Sequence, residues 1–338
     1  MIDGKKIYIS SCGGIGDLLM FTPALRIIKE QYPNATITFL TNLANTEILT
    51  GLPYIDRVIT IQRGKAFSRL NAIKELFNQD YVIFTDWQPQ LAFFAYLFGV
   101  PNRAGIPKPG HHCNKYFTKP LTHNVMFSPN YAAETNALIF SEALGISIQG
   151  DMTVLDVSQP SDNDKQSIDY LLENVGLQKD DQFICLAPFT GLEQRNWSIE
   201  KSRIFVNLVK EHLKIPVVII GPPHKTVSAN EIGAYNLVGK TSLMEMTDII
   251  RRAKLYIGSD SGPMHIAGAV NTPLVALFNK DIPSRWAPKN KCSVVTLDLE
   301  CSPCNDETAR KCKTVQCMRD ITPEMVFDAT KEAIEKYC

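Results

Sequence analysis

At 338 residues the chain is too long for one ordinary hydrophobic core and suits two domains. Hydrophobic residues make up 45% and charged residues 21%, with no long biased run, which excludes a disordered or fibrous chain. Lys+Arg and Asp+Glu both number 35, so the net charge gives no reason to expect nucleic acid as a partner.

The first residues run directly into the strand-like Ile7-Tyr8-Ile9, without the charged, apolar and cleavage regions of a signal peptide, so a cytoplasmic location is expected. Short β-rich runs then alternate with helical patterns. Residues 6–10, 35–40, 57–61 and 81–85 read as strands, each followed by a candidate helix, which is the signature of βαβ units and a parallel sheet. The longest apolar run, residues 91–100, is too short to span a bilayer and reads as a core helix, leaving at most peripheral membrane contact, at the inner face. A polar stretch over 151–165, with Pro160 and Ser161-Asp162-Asn163-Asp164, reads as the linker. The second half repeats the alternation with strands expected at 183–187, 216–220, 236–238, 255–257 and 273–278. The expected division is 1–155, 165–322 and a final helix over 323–338. That helix carries Met325, Val326, Ala329, Ala333 and Ile334 on one face and could pack back on either domain, the N-terminal one included.

Three strand-to-helix junctions bear polar residues. Gly258-Ser259-Asp260-Ser261-Gly262-Pro263-Met264-His265 leaves a strand and opens a helix, with Pro263 suited to the first turn and backbone N–H groups available to an anion. A capped turn would use the same residues. A hydrolase elbow does not fit, because Asp260 occupies the central position. Ser10-Ser11-Cys12-Gly13-Gly14-Ile15-Gly16-Asp17 forms the first junction, where glycines let a substrate approach the backbone. A dinucleotide fingerprint fails there: Leu19 stands at its third glycine, and Thr41-Asn42 stand where a ribose-binding acid belongs. Asp17 is either a helix cap or a general base at the carboxyl end of the sheet, and Pro23 either kinks the helix that follows or restarts it. The third junction runs from Thr190-Gly191 to Arg195-Asn196-Trp197, a cation beside a core tryptophan, and Gly221-Pro222-Pro223-His224 forms a further carboxyl-end turn.

Other polar groups are less informative. Asp162-Asn163-Asp164 matches a D-x-D metal pattern but sits where a helix cap is expected. His111-His112-Cys113 lacks evident further ligands, and Asp86, Gln88, Arg103 and His111 are ordinary polar residues without diagnostic spacing. Cys301, Cys304, Cys312 and Cys317, spaced C-x2-C-x7-C-x4-C, are expected to hold a structural zinc or iron, because clustered cysteines in a reducing compartment are more often metal sites than disulfides.

Taken together, the Gly13-Gly14-Ile15-Gly16-Asp17 loop, Arg195-Asn196-Trp197 and Asp260-Ser261-Gly262-Pro263-Met264-His265 resemble the ADP-heptose:lipopolysaccharide heptosyltransferases, glycosyltransferase family 9, over nearly the whole chain. The resemblance implies an α/β GT-B fold, two Rossmann-like doubly wound domains facing across a cleft, with the acceptor on the first and the nucleotide-sugar on the second. It implies inverting transfer of a sugar, most simply a heptose from ADP-heptose, to a hydroxyl of a lipopolysaccharide-type glycan or a protein. Asp17 would take the acceptor proton on the loop of Gly13, Gly14 and Gly16. Thr190, Arg195, Gly221, Asp260, Ser261, Gly262, Pro263, Met264 and His265 would hold the donor, with no cofactor or divalent ion needed for the chemistry. His224 stands where the family carries a glutamate. The four-cysteine segment resembles a subset of the family that modifies autotransporter adhesins, in which such a segment binds iron. An NAD-dependent sugar-nucleotide oxidoreductase or epimerase, or a non-catalytic nucleotide-sugar binding subunit, would carry the same outline.

Overall fold

The computed structural model describes residues 2–62, 64–107, 114–126, 128, 130–304 and 306–338. The chain forms two compact units, Met1–Ser158 and Gln159–Cys338. The first holds strands β1 (Lys6–Ser10), β2 (Thr36–Asn42), β3 (Arg57–Ile61), β4 (Tyr81–Phe84), β5 (Asn102–Gly105) and β6 (His123–Asn124) in one sheet of order β3-β2-β1-β4-β5-β6. Every pairing in it is parallel, with Ile7 opposite Ile37 on one side and Tyr81 on the other. Because β1 is apolar on both faces, helices must cover both. Tyr8 packs with Leu40, Ile59, Val82 and Phe84 beneath Leu76, Leu91, Ala95 and Phe117. Toward the helices Thr22–Gln31 and Ala132–Leu144, Phe21 stacks on Phe140 at 5.7 Å and tilts against Phe39 at 5.8 Å. Each such buried ring stabilises the fold by about 1.5–3 kcal/mol.

Pro23 restarts the helix rather than kinking it. Ile15–Leu19 ends, the Thr22 hydroxyl donates to the Leu19 carbonyl at 2.7 Å, and Thr22–Gln31 begins with proline in its first turn. The Thr22 hydroxyl also accepts the Asp156 N–H at 2.9 Å, Arg26 pairs with Asp156, and Ser158 donates to the Ile48 carbonyl at 3.1 Å. Residues 152–158 therefore belong to the first unit.

The second unit opens on a capped helix, Asp162–Asn174, where Ser161 accepts the Asp164 N–H at 3.2 Å and Asp164 accepts the Ser161 N–H at 2.8 Å. The Asp162-Asn163-Asp164 triplet thus serves as a helix start. Strands β7 (Ile184–Ala187), β8 (Val217–Ile219), β9 (Tyr235–Asn236), β10 (Leu255–Ser259), β11 (Leu274–Leu277) and β12 (Cys292–Val295) form a second parallel sheet, β12-β11-β10-β7-β8-β9. Numbered within its own unit, this is the order of the first sheet read from the other edge.

Two expectations are corrected. Strands β5, β6 and β12 were not expected: Asn-Arg-Ala-Gly carries no β-branched residue, β6 has two residues, and β12 lies at an edge. The apolar run over 91–100 is only half a core helix. In Pro89–Leu97, Leu91, Ala92 and Ala95 are buried while Phe93, Tyr96 and Leu97 are exposed. The C-terminal helix Pro323–Tyr337, left open between the two domains, places Val326, Phe327 and Ala333 in the second unit's own core, with Ile184, Phe205 and Val275.

Candidate active site

In the first unit, the loop after β1 is held on several sides. Asp86, just past β4, accepts the Cys12 N–H at 3.0 Å and the Ser10 hydroxyl at 3.4 Å, and is itself bonded by the Gln88 amide at 2.9 Å. The Asn42 amide donates to the Cys12 carbonyl at 2.5 Å and the Asn45 amide to the Gly13 carbonyl at 2.9 Å. Burial raises the Asp86 carboxyl above the ordinary carboxylate range despite these donors, and burial with the neighbouring Asp86 charge pushes the Cys12 thiol up to about 12. Cys12 is a structural thiol at neutral pH.

The loop ends in the helix Ile15–Leu19, whose cap is Gly14. Asp17, exposed, accepts the Gly14 N–H at 2.8 Å through Oδ2. Capping and orientation are therefore one interaction: the bond that closes the helix fixes the carboxylate at the carboxyl end of β1. Gly13 has no alternative, because a Cβ there would lie 2.8 Å from both the Asp17 Cβ and Oδ2. Gly16 is buried in the helix.

In the second unit, the loops leaving β7, β10 and β11 converge on Arg195. The Trp197 N–H donates to the Pro188 carbonyl at 2.9 Å, and its indole is buried against Phe205, which folds the loop back on its strand. The Thr190 N–H donates to Asn196 Oδ1 at 2.6 Å. Arg195 then donates to the Asp260 carbonyl at 2.8 Å, lies 3.4 Å from Asp260 Oδ2, and pairs with Asp281 through its other terminal nitrogen. Its Nε is buried without a partner among the described residues. Burial, outweighing the Arg195 charge, raises the Asp260 carboxyl to about 7. Burial, aided by Arg195, lowers the His265 imidazole to about 4, and its Nε2 stands 3.8 Å from Asp260. His265 is neutral at pH 7, with the edge of its ring near Trp286.

The helix Gly262–Ala269 begins at Ser261, whose hydroxyl turns back to the Ser259 carbonyl at 3.0 Å and leaves the helix without a side-chain cap. Pro263 occupies its first turn and Met264 is buried. Gly221 packs on Phe189, and the exposed His224 sits in a short turn whose Lys225 reaches Glu193 at 3.2 Å.

Two residues escaped the sequence reading. Lys280, with its side chain 6% exposed, pairs with Asp281 at 3.0 Å, and Asp281 holds Arg195. They follow β11, the strand beside β10, so the signal was available: the residues just past the carboxyl end of each central strand line the crevice. Asn279 adds a bond to the Gln194 carbonyl at 3.0 Å.

The cysteine segment packs on these loops through Cys304 N–H to the Lys280 carbonyl at 2.9 Å and Gln194 to the Arg310 carbonyl at 3.3 Å. Its expected zinc or iron is not supported. Cys301, Cys304, Cys312 and Cys317 are free thiols, and among the described residues no three His, Cys, Asp or Glu side chains form a group able to hold a metal ion. Cys312 is engaged locally instead, accepting the Val315 N–H at 3.4 Å and touching the Thr314 hydroxyl at 3.6 Å. His111, His112 and Cys113 lie outside the described residues. Arg103 bonds the Pro120 carbonyl at 2.5 Å and stacks over Tyr96, a structural role.

Two parallel sheets of this order, each with polar loops at its carboxyl end, define a GT-B protein. The profile of glycosyltransferase family 9 (heptosyltransferase) matches residues 69–314, and the chain belongs to that family. It is 27% identical over 290 residues to the lipopolysaccharide heptosyltransferase 3 of Escherichia coli, covering 81% of this chain and 83% of that one. Its fold is similar to that of a family 9 glycosyltransferase from Veillonella parvula (TM-score 0.84, 18% identity, 99% of both chains). It is also similar to that of the E. coli ADP-heptose lps heptosyltransferase II (TM-score 0.74, 20% identity, 98% of this chain and 99% of that one). The chain is a glycosyltransferase, which sets aside the oxidoreductase and non-catalytic readings. No helix among the described residues is long and apolar enough to cross a membrane.

Proposed function

We propose that this enzyme transfers a heptose from ADP-heptose to a hydroxyl of a lipopolysaccharide core acceptor, on the cytoplasmic side of the membrane, with inversion at the anomeric carbon. The names of the relatives support the sugar, the nucleotide and the acceptor class. The observation that carries the donor assignment is the Arg195 cluster. Two cations, Arg195 and Lys280, stand with Asp281, which pairs with both, with one carboxyl that holds its proton to about pH 7, Asp260, and with an imidazole that stays neutral, His265. Such a cluster can accept a diphosphate, and the uncapped helix opening at Ser261-Gly262 adds a favourable dipole. A bound anion would raise Asp260 further and keep it a hydrogen-bond donor. His265 would bound the same subsite as a neutral partner.

In the reaction, Asp17 takes the acceptor proton while the hydroxyl oxygen attacks the anomeric carbon and the bond to the diphosphate breaks. Charge grows on the leaving phosphate, where Arg195, Lys280 and the backbone donors near Gly262 and Met264 stabilise it. Thr190 and Gly221 shape neighbouring walls of the same rim.

Asp17→Asn tests the assignment. It keeps an oxygen to accept the Gly14 N–H but removes the base, so kcat should fall about 10²–10⁴-fold while ADP affinity is unchanged. A variant with full transfer activity refutes the role.

A further inference from the structure

The first unit carries a surface that the chemistry does not use. On the helix Ala66–Lys74, Phe67 and Leu70 are 80% and 56% exposed and sit three residues apart, on one face; Phe77 follows at 60%. On the adjoining helix Pro89–Leu97, Phe93, Tyr96 and Leu97 stand at i, i+3 and i+4, all more than half exposed. Rings connect the two helices: Phe77 meets Phe98 edge-on at 5.9 Å, Phe98 meets Phe94 at 6.0 Å, and Phe94 meets Phe93 at 5.8 Å. The helix Asn114–Thr118 packs beside them and adds the exposed Tyr116. Scattered exposed apolar residues need no explanation, but a connected aromatic field does.

The charges around it have one sign. The sequence holds no acidic residue between Asp56 and Glu75 or between Asp86 and Glu134, although the whole chain is neutral. The flanking acids are taken: Asp56 pairs with Lys29 at 2.8 Å, Glu75 with Arg57 at 2.7 Å and Asp80 with Lys5 at 3.0 Å, and Asp86 accepts the Cys12 N–H under the β1 loop. By contrast, Lys65, Arg69, Lys74, Lys115 and Lys119 are exposed and have no ion-pair partner among the described residues. Lys65 and Arg69 also line a cleft of about 400 Å³ together with Leu70 and Ile73, which places two cations over an apolar floor.

We propose that this face of the first unit, formed by the helices Ala66–Lys74, Pro89–Leu97 and Asn114–Thr118, docks on an anionic lipid bilayer. The aromatic and leucine side chains enter the headgroup boundary, the cations meet lipid phosphates, and the cleft of Lys65 and Arg69 receives one headgroup. Partners of other chemistry fit less well: a second copy of a neutral chain would have to supply an acidic face, and a nucleic acid would leave the apolar field in water. The surface argument stands independently of the transfer reaction, and it gives the reaction a lipid-linked acceptor at its own membrane.

Flotation with vesicles of phosphatidylglycerol and phosphatidylethanolamine tests the proposal, against vesicles of phosphatidylcholine. The protein should float with the anionic vesicles at low salt, leave them at high salt, and bind the neutral ones far less. Combined Lys65→Gln, Arg69→Gln and Lys115→Gln should lower partition about 10²-fold, at about fivefold for each cation. Phe93→Ser with Leu97→Ser should lower it as well. Both variants should retain wild-type ADP affinity and wild-type transfer to a water-soluble acceptor, which shows that they fold and separates failure of docking from failure of the transfer reading. Equal binding to neutral vesicles, or a charge variant that floats like wild type, overturns the proposal. So does self-association abolished by Phe93→Ser in a protein that binds no vesicle, because the face would then join two copies.

Discussion

Asp260 and His265 are buried side by side and their carboxyl and imidazole are displaced in opposite directions, which predicts opposite pH dependences for two single substitutions. Asp260 holds its proton to about pH 7 in the folded protein and releases it near pH 4 when unfolded. Stability from this group is fully present below pH 4 and is lost as pH rises to 7, by about 4 kcal/mol at about 1.4 kcal/mol per unit. His265 is charged only below about pH 4 when folded and below about 6.5 when unfolded. Its contribution is present above 6.5 and is lost as pH falls to 4, by about 3 kcal/mol. In the wild type the two nearly cancel between pH 4 and 7. Asp260→Asn, which mimics the protonated acid, should gain on the wild type as pH rises through this window, and His265→Gln should gain as pH falls through it. Urea unfolding of the second unit, followed by the fluorescence of the buried Trp197 at several pH values, reads both differences. If either variant tracks the wild type at constant offset, the burial argument is wrong for that residue.

Two further outcomes follow from the geometry of the loops. Gly13→Ala places a methyl 2.8 Å from the Asp17 side chain, so kcat should fall about 10²-fold with ADP affinity unchanged, read by steady-state transfer and calorimetry; an active variant would mean that Asp17 need not sit where it does. Lys280→Gln removes a buried cation from the Arg195 cluster and should weaken ADP binding about 10–100-fold and lower kcat as well, because the same cation steadies the leaving phosphate, whereas unaltered affinity would place Lys280 outside the donor subsite.

Much of this was legible because the informative residues are local. A strand followed by glycines and a helix start writes itself into consecutive positions, so the β1 and β10 junctions and the helix start at Asp162-Asn163-Asp164 could be read from the chain, while Pro23 left a kink and a restart both open. What could not be read is which distant loops meet. Asn42 was noticed only as a residue unsuited to ribose, yet its amide holds the Cys12 carbonyl. Asp86 had no diagnostic spacing because its partner lies 74 positions away in the sequence and one strand away in the sheet. Lys280 and Asp281 went unremarked, because only the strand order puts β11 beside β10. The outward face of Pro89–Leu97 was hidden for a different reason: its composition is apolar all round, so periodicity could not divide its core side from its exposed side.

The two units share one strand order, and each places its polar loops at the same point, where the order reverses: between β1 and β4 in the first sheet and between β7 and β10 in the second. The side chains at these points differ in sign. In the first unit they are Asp17 and Asp86, held by amides, a hydroxyl and backbone N–H groups, so the loop is a poor host for a diphosphate and a good one for a hydroxyl that must lose a proton. In the second they are Arg195 and a carboxyl that keeps its proton to about pH 7, backed by Lys280 and a helix opening without a side-chain cap. Under the proposed function, one fold used twice would supply two subsites of opposite preference, and the division of labour between acceptor and donor would follow from which loop carries the acid and which the cation.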